Sequence, residues 1–417
     1  MPILLKEDME RPLPKLIRVR QKFNSTHIED PAAAVRLEML KPDIRSLIRP
    51  GMRTAVAVGS RGIKNIYKIV EALVGELKAL GAEPLIVSAM GSHGGGTEEG
   101  QREILKGYGI TEENLGVPVI TSVDSEPIGA VANGRTVWFD RAALGADLII
   151  PVNRIKLHTD FIGELQSGLC KMLVIGLGNH VGCSAVHEEP IENFSEVLEE
   201  AARVILDRAP VGFGIGIIEN AYDETYMIEA VPAADADSFI AREKELAAIA
   251  KKTIARILLP SADVIVCREI GKDISGAGFD PNILGRSSLR DKYELPVPKY
   301  QKLVLTGLSE ATHGNGIGVG LFDVITKNVA DALELEEMYA NAISCNALID
   351  ASIPCTVEDE ETAVRVALKC CRGIDRDNPR ILRIKNTLSL GEIEVSPALI
   401  PDVEACPDLE ICSGPLS

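Results

Sequence analysis

Three histidines and Lys171 lie in a single stretch of 38 residues, where they could move protons or hold a metal. Residues 153–190 read NRIKLHTDFIGELQSGLCKMLVIGLGNHVGCSAVHEEP and contain His158, Lys171, His180 and His187. Imidazole titrates near neutral pH and is the commonest protein ligand of transition metals, so histidines gathered in glycine-punctuated loops indicate a site. Any one of them alone would more often be a surface or capping residue, but their clustering favours a function.

Lys171 stands in an apolar run, between Cys170 and Met172. Partial burial lowers the pKa of an amine, and amines tuned in this way serve as nucleophiles or covalent anchors. The alternative is a lysine whose stem covers apolar surface while its amine reaches water. The GLGN run at 176–179 and the histidines around it favour the first interpretation.

Two more loops carry polar groups directly after predicted strands. Ser60 and Arg61 belong to an SRG sequence, and His93 belongs to GSHGGG at residues 91–96. Glycines let the backbone approach a phosphate or a substrate closely, and an arginine can bind a carboxylate or phosphate with two hydrogen bonds. Alone, Arg61 would be interpreted as a solvated loop residue. The chain has no P-loop, no H-E-x-x-H zinc motif and no nucleophile elbow.

The elements that must position these loops follow an α/β pattern. The apolar run at 53–59, the amphipathic helix at 66–80 and the strand at 83–89 predict a βαβ unit. Further strands are predicted at 117–122, 147–152, 212–219 and 226–231, with a helix at 190–208. We therefore predict an α/β fold whose first domain is a parallel-type sheet flanked by helices, with ligands at the carboxyl ends of its strands.

The second half repeats this pattern and predicts a second α/β domain. Strands are predicted at 264–268, 302–306 and 380–385, helices at 336–348 and 359–371, and no element after residue 397. Glycine-rich loops interrupt this half at 274–286 and 312–320. A long helix at 235–259 is predicted as the hinge between an N-terminal domain, 1–237, and a C-terminal domain, 238–417.

Composition limits the partners that the chain can have. The 417 residues include 44 basic and 61 acidic side chains, a net charge of −17, and only 4% are aromatic. A nucleic-acid ligand is disfavoured because phosphate contacts need a basic stripe and single strands need aromatic platforms. No apolar run approaches the ~20 residues of a membrane span, and the N-terminus lacks the apolar core of a signal peptide. We expect a cytoplasmic protein without nucleic-acid or membrane partners.

The motifs together resemble the nickel-pincer lactate racemase family. The resemblance is carried by H-T-D-F-x-G-E-L-x-S-G-L-x-K-M-L-x-I-G-L-G, by a histidine sixteen residues after its lysine, and by the upstream SRG and GSHGG-T-E-E-G segments. It covers most of the first half. The second half adds DISGAGFDPNILGR and THGNGIGVGLFD, which are similar to uncharacterised relatives of the racemase.

This resemblance implies a fold, a reaction and a cofactor. The fold would have two domains with the active site in the cleft between them, and the enzyme would be an isomerase that racemises or epimerises a 2-hydroxy acid. Hydride and proton would move through a nickel-pincer pyridinium mononucleotide, bearing a thioamide and a thiocarboxylate and loaded by cofactor-maturation enzymes. Lys171 would be the covalent tether, His187 the nickel ligand, and Ser60 a further cofactor contact.

The resemblance also implies roles around the substrate. His93 and His158 would be the acid/base pair, since two enantiomers present their hydroxyl groups differently and imidazole works near neutral pH. Arg61 would hold the substrate carboxylate, helped by Lys272 or Arg286 from the second domain. Two alternatives stay open: a lyase or dehydratase that uses the same histidines, and a non-catalytic protein that binds a hydroxy acid or a mononucleotide. The particular hydroxy acid and the oligomeric state also stay open.

Overall fold

The computed structural model describes residues 4–60 and 62–412. Within them the strands are β1 Ile17–Gln21, β2 Arg53–Val58, β3 Glu83–Ser88, β4 Val119–Ile120, β5 Ser125–Ala130, β6 Thr136–Asp140, β7 Leu148–Arg154, β8 Phe213–Glu219, β9 Thr225–Pro232, β10 Val264–Cys267, β11 Lys302–Leu305, β12 Val324–Thr326, β13 Cys355–Val357, β14 Ile381–Ile384, β15 Glu392–Val395 and β16 Leu409–Ile411. The α-helices are α1 Lys6–Glu10, α2 Pro31–Met39, α3 Pro42–Arg45, α4 Ile66–Ala79, α5 Glu98–Gly107, α6 Glu112–Leu115, α7 Arg141–Leu144, α8 Leu169–Lys171, α9 Asn179–His187, α10 Phe194–Arg208, α11 Ala236–Thr253, α12 Pro281–Leu284, α13 Lys327–Asp331, α14 Leu335–Ser344, α15 Glu360–Cys370 and α16 Ile400–Ala405.

The chain divides into two compact units. One is Ser25–Ile254, and the other combines the residues up to Asn24 with those from Ala255 onward. Each unit holds one large sheet with helices, which confirms the predicted α/β fold class. The sequence placed the boundary at residue 237 instead.

The unit Ser25–Ile254 is built on a six-stranded sheet with the order β4-β3-β2-β7-β8-β9. The first five of these strands are parallel, and β9 returns antiparallel to β8. Along β2, Ala55 and Ala57 join one hydrophobic cluster while Val56 and Val58 join another. Both faces of the sheet are therefore covered, which explains why β2 is apolar without alternation.

The βαβ unit predicted from the apolar pattern is confirmed as β2, α4 and β3. The helix ends before Gly81, whose φ of 82° lies in the left-handed region that favours glycine. Because β2, β3 and β7 are parallel, their carboxyl ends meet at one edge of the sheet. The loops that begin after Val58, Ser88 and Arg154 leave from this edge and carry the residues of the candidate site.

The second unit contains an eight-stranded mixed sheet with the order β13-β12-β11-β10-β14-β15-β1-β16. Strand β1 lies between β15 and β16 and is antiparallel to both. The predicted assignment of residues 1–24 to the first domain is therefore wrong, because the backbone hydrogen bonds of β1 complete the other sheet. The pattern of residues 397–412 predicted no element, whereas the structure forms α16 and β16 there.

The predicted hinge helix at 235–259 also differs from the structure. Helix α11 begins after Asp235, whose carboxylate accepts a hydrogen bond from the Ser238 amide, and it ends at Thr253. Its buried residues Phe239, Ile240 and Leu246 belong to a hydrophobic cluster of the unit Ser25–Ile254. The whole helix therefore belongs to that unit, and the chain leaves it in an extended conformation at Ile254.

Within the described residues, no single helix has both the length and the apolarity needed to cross a membrane. A bent pair, Leu169–Gly176 and Asn179–His187 at 106°, meets the length and composition test when taken together, and core helices meet that test too.

Candidate active site

Ser60 and His93, which the sequence placed after two neighbouring strands, contact each other. The Ser60 hydroxyl forms a hydrogen bond with Nδ1 of His93. The Tyr108 hydroxyl donates to the Ser60 carbonyl oxygen at 2.5 Å. Because Tyr108 is the C-cap residue of α5, this hydrogen bond attaches the Ser60 backbone to the end of that helix. The hydroxyl thus fixes the orientation of an exposed imidazole at the carboxyl edge of the sheet. Arg61, the predicted carboxylate-binding residue, lies outside the described residues.

The glycine loop that carries His93 packs on the segment that follows Lys171. Gly94, Gly95 and Gly96 have φ values of 66°, 67° and 64°, which other residues rarely adopt. The Gly91 amide donates to the Gly176 carbonyl at 3.0 Å. A Cβ added at Gly176 would lie 2.7 Å from the Ala89 carbonyl oxygen, so only glycine allows this approach of two backbones.

Lys171 is half-buried and ends the short helix α8, after which Met172–Gly176 form a π-helix. π-helical turns are rare and are found mostly at functional sites. The Met172 Cε atom lies 3.1 Å from the position that a Cβ of Gly59 would take. The lysine's segment therefore lies against the start of the Ser60 loop as well as against the glycine loop.

His187 is the last residue of α9, and its exposed ring is oriented by the backbone. Its Nδ1 lies 2.7 Å from the Cys183 carbonyl oxygen, which assigns the proton to Nδ1 and the lone pair to Nε2. Metal-binding histidines typically donate their second nitrogen to a carbonyl or carboxylate in this way. Hydrogen bonding to Cys183 raises the pKa of His187, and the positive charge of Lys171 acts in the opposite direction. The amine and the imidazole are therefore within electrostatic range of each other.

Two chains of contact connect the acid/base candidates to His187. The Cys183 thiol lies 3.7 Å from the hydroxyl of Ser92, the neighbour of His93, and 3.6 Å from the His187 ring. On the other side, three ring contacts run in series, with centroid distances of 4.3, 5.4 and 5.5 Å: His158 to Phe161, Phe161 to Phe194, and Phe194 to His187.

His158 is 17% exposed at its side chain and has a defined neutral form. Its Nδ1 accepts a hydrogen bond from the Asp160 amide at 3.1 Å, so the proton of the neutral ring is assigned to Nε2. The Asp160 carboxylate lies 3.9 Å from Nδ1 of His158. The ring stacks on Phe161 at an interplanar angle of 27°, which fixes its plane.

Two of the predicted substrate residues lie in the other unit. The Lys272 amine donates to Oδ1 of Asn341 at 2.5 Å. Arg286 forms an ion pair with Asp323 at 2.7 Å and stacks over the Tyr300 ring at 5.1 Å, so its guanidinium has a structural role there.

The sequence analysis missed a buried carboxylate next to Lys171. Glu243 on α11 is 2% exposed, and its Oε2 accepts a hydrogen bond from the Cys170 amide at 2.8 Å. Burial raises its pKa. A signal was present, because Glu243 stands at helical spacing between Phe239 and Leu246 on the apolar face of the predicted helix.

The donors present do not fit a metal ion held by side chains alone. Within the described ranges, 4–60 and 62–412, no group of three His, Cys, Asp or Glu side chains could hold an ion. One exposed histidine whose Nδ1 is bonded to the backbone and one half-buried amine fit a different kind of group. That group would bring most of its own donors to the metal and would need one protein ligand and one covalent anchor.

The fold and this arrangement define an α/β protein with imidazole, hydroxyl and amine groups at the carboxyl edge of a parallel sheet. Residues 8–197 match the model of the lactate racemase N-terminal domain, which confirms the predicted resemblance for this part of the chain. No curated protein sequence matches the chain.

Two solved structures are similar to this one. The lactate racemase apoprotein from Thermoanaerobacterium thermosaccharolyticum is 12% identical, with a TM-score of 0.54 over 90% of this chain and 99% of that one. A protein from Thermotoga maritima is also 12% identical, with a TM-score of 0.45 over 80% and 84% of the two chains. At this identity, the first of these likenesses shows a shared fold.

Proposed function

We propose that this protein is an isomerase that racemises or epimerises a 2-hydroxy acid with a nickel-pincer mononucleotide bound to Lys171. The observation that carries the proposal is a half-buried amine within electrostatic range of an exposed histidine whose Nδ1 is hydrogen-bonded to a backbone carbonyl. The match of residues 8–197 to the lactate racemase N-terminal domain supports the class of reaction.

The chain's own residues would hold the cofactor in two ways. The Lys171 amine would form the thioamide link, and its backbone is fixed by the π-helix that follows it. His187 would offer Nε2 to nickel while Nδ1 keeps its hydrogen bond to the Cys183 carbonyl. When bound, the group supplies a metal-tuned pyridinium that accepts hydride. Cofactor-maturation enzymes in the cytoplasm would be the partners that load it.

Proton transfer would fall to His93 and His158. Removing hydride from the carbon of a 2-hydroxy acid requires a base that takes the hydroxyl proton. When hydride returns to the opposite face, an acid must protonate the oxygen to give the second enantiomer. Ser60 orients His93, and the neutral form of His158 carries its proton on Nε2. We further propose that Arg61 binds the substrate carboxylate, which it can do by charge-assisted hydrogen bonds.

The proposal is tested by chiral chromatography of D- and L-2-hydroxy acids after incubation with protein produced together with the maturation enzymes. Lys171→Ala and His187→Ala should each abolish interconversion. Lys106→Ala and His27→Ala are matched controls, because both side chains are exposed and bond only to neighbours in sequence. Release of water or of an unsaturated acid instead of the opposite enantiomer would favour the lyase alternative. Binding without turnover would favour the binding protein.

A further inference from the structure

The helix that carries Lys171 is capped by a carboxylate from a distant part of the chain. Helix α8 has only three residues, and its N-cap is Gly168, which has no side chain to accept a hydrogen bond. Glu243, more than seventy residues away on α11, accepts the backbone N–H of Cys170 at 2.8 Å and is also bonded to the N–H of Leu169. These are the first amides of α8, which a helix leaves without intrahelical partners.

The surroundings of Glu243 are shaped around this contact. A Cβ on Gly168 would lie 2.0 Å from Oε1 of Glu243, so the absence of a side chain at Gly168 gives the carboxylate its place. The Cys170 thiol also bonds to Glu243, and burial beside that carboxylate raises the pKa of Cys170, so the thiol remains a donor. The neighbouring Lys244 pairs with Glu164 and Glu199 instead of with Glu243.

Stability alone does not account for a carboxylate in this position. A buried carboxylate carries a desolvation cost that an apolar side chain of similar size avoids. A single helical turn is not stable by itself, so the direction of Lys171 depends on what holds that turn. The carboxylate holds it at the two residues immediately before the lysine.

We propose that Glu243 is a positioning residue for Lys171: by holding the Leu169 and Cys170 amides, it fixes the turn that aims the amine into the site. The significance of the amine rests on the proposed function, in which Lys171 carries the cofactor. The positioning itself is a property of the protein without cofactor and can be tested there.

The test is the rate at which an acylating reagent labels Lys171 in cofactor-free protein, measured by peptide mass spectrometry. The internal reference is Lys41, a half-buried amine of the same unit that is paired with Glu38. Glu243→Met keeps the volume but removes the acceptor. We expect the ratio of Lys171 to Lys41 labelling to rise about fivefold or more, because losing a hydrogen bond to a charged acceptor shifts a local opening equilibrium by at least that factor.

Glu243→Gln should give a smaller rise, since one amide oxygen still accepts a hydrogen bond. Glu245→Gln is the matched control, because Glu245 lies on the same helix but is 64% exposed and pairs with Arg242. Its labelling ratio should equal that of the parent protein. A folded Glu243→Met protein with an unchanged ratio would overturn the proposal and leave Glu243 a purely structural residue.

A measurement on the parent protein covers the case in which the variants do not fold. Hydrogen exchange at the Leu169 and Cys170 amides should be as slow as in the middle of α10 if Glu243 holds them. Exchange at the rate of an unprotected amide would refute the proposal. Both experiments use protein without cofactor, so their outcome is independent of whether Lys171 is the attachment point.

Discussion

Gly176→Ala should weaken the unit Ser25–Ile254 and disturb the Lys171 segment together. In an ordinary helix this substitution stabilises a protein by roughly 0.5–1 kcal/mol. Here the new Cβ would lie 2.7 Å from the carbonyl oxygen of Ala89 and 3.1 Å from its carbon, and backbone cannot move aside as a flexible side chain can. Overpacking costs typically 1–3 kcal/mol. Losing the hydrogen bond from Gly91 adds about 1 kcal/mol.

We therefore expect a net loss of about 2 kcal/mol in the free energy of unfolding, the sum of these opposing effects. The assay is urea unfolding followed by the fluorescence of Trp138, the single tryptophan of the chain, which lies in the same unit. Gly75→Ala is the matched control, because this helical glycine has nothing within 4 Å of its Cβ position. It should gain about 0.5–1 kcal/mol. The reasoning is refuted if both variants gain stability alike.

Three further results are expected. Ser60→Ala, which removes one hydrogen-bond partner of the His93 ring, should lower kcat about tenfold or more with little change of KM, as measured by steady-state kinetics in both directions. His93→Ala and His158→Ala should each lower the rate by about 10²–10⁴ in both directions, and an unimpaired His158→Ala enzyme would shift the role to His180. Burial raises the pKa of Glu243 in the folded protein above the ordinary glutamate value of 4.5. Its contribution is therefore most favourable below that value and is lost as pH rises through the folded pKa, so the stability of Glu243→Met relative to the parent should increase with pH over this window, as urea titrations at several pH values would show.

Local patterns predicted the elements that position the site. The uninterrupted apolar residues of β2 and β3 predict strands, and the apolar face of α4 predicts a helix, from the local sequence alone. Because Ser60 and His93 follow two parallel strands, the sequence placed them at the same edge of the sheet. The structure brings them into contact, although 33 residues separate them. Local periodicity is sufficient wherever both faces of an element are covered by the element's immediate neighbours.

Long-range pairing was not predictable in this way. Strand β1 pairs with β15 and β16, which come from the other end of the chain. No local feature of the five residues of β1 indicates which strands it pairs with. The strands β5 and β6 form a two-stranded sheet, and the SEPIGA sequence of β5 resembles a loop. The domain boundary was wrong for the first of these reasons.

Within the candidate site, the sequence indicated which residues to consider, but the protonation and backbone states of those residues were not predictable. The choice of nitrogen that carries the proton on His187 depends on the Cys183 carbonyl, and that of His158 on the Asp160 amide. The π-helix after Lys171 packs its Gly176 against Ala89, a contact that forms only in the assembled unit. These features need three-dimensional contacts.

The covalent state of Lys171 tests the central claim most directly. Protein produced together with the cofactor-maturation enzymes should be digested without acid and its Lys171 peptide weighed, while nickel is measured on the intact protein. We expect an added mononucleotide mass on Lys171 and about one nickel per chain, both lost in Lys171→Ala. His187→Ala should keep the added mass and lose the nickel. An unmodified Lys171 peptide in protein that interconverts the two enantiomers would contradict the account.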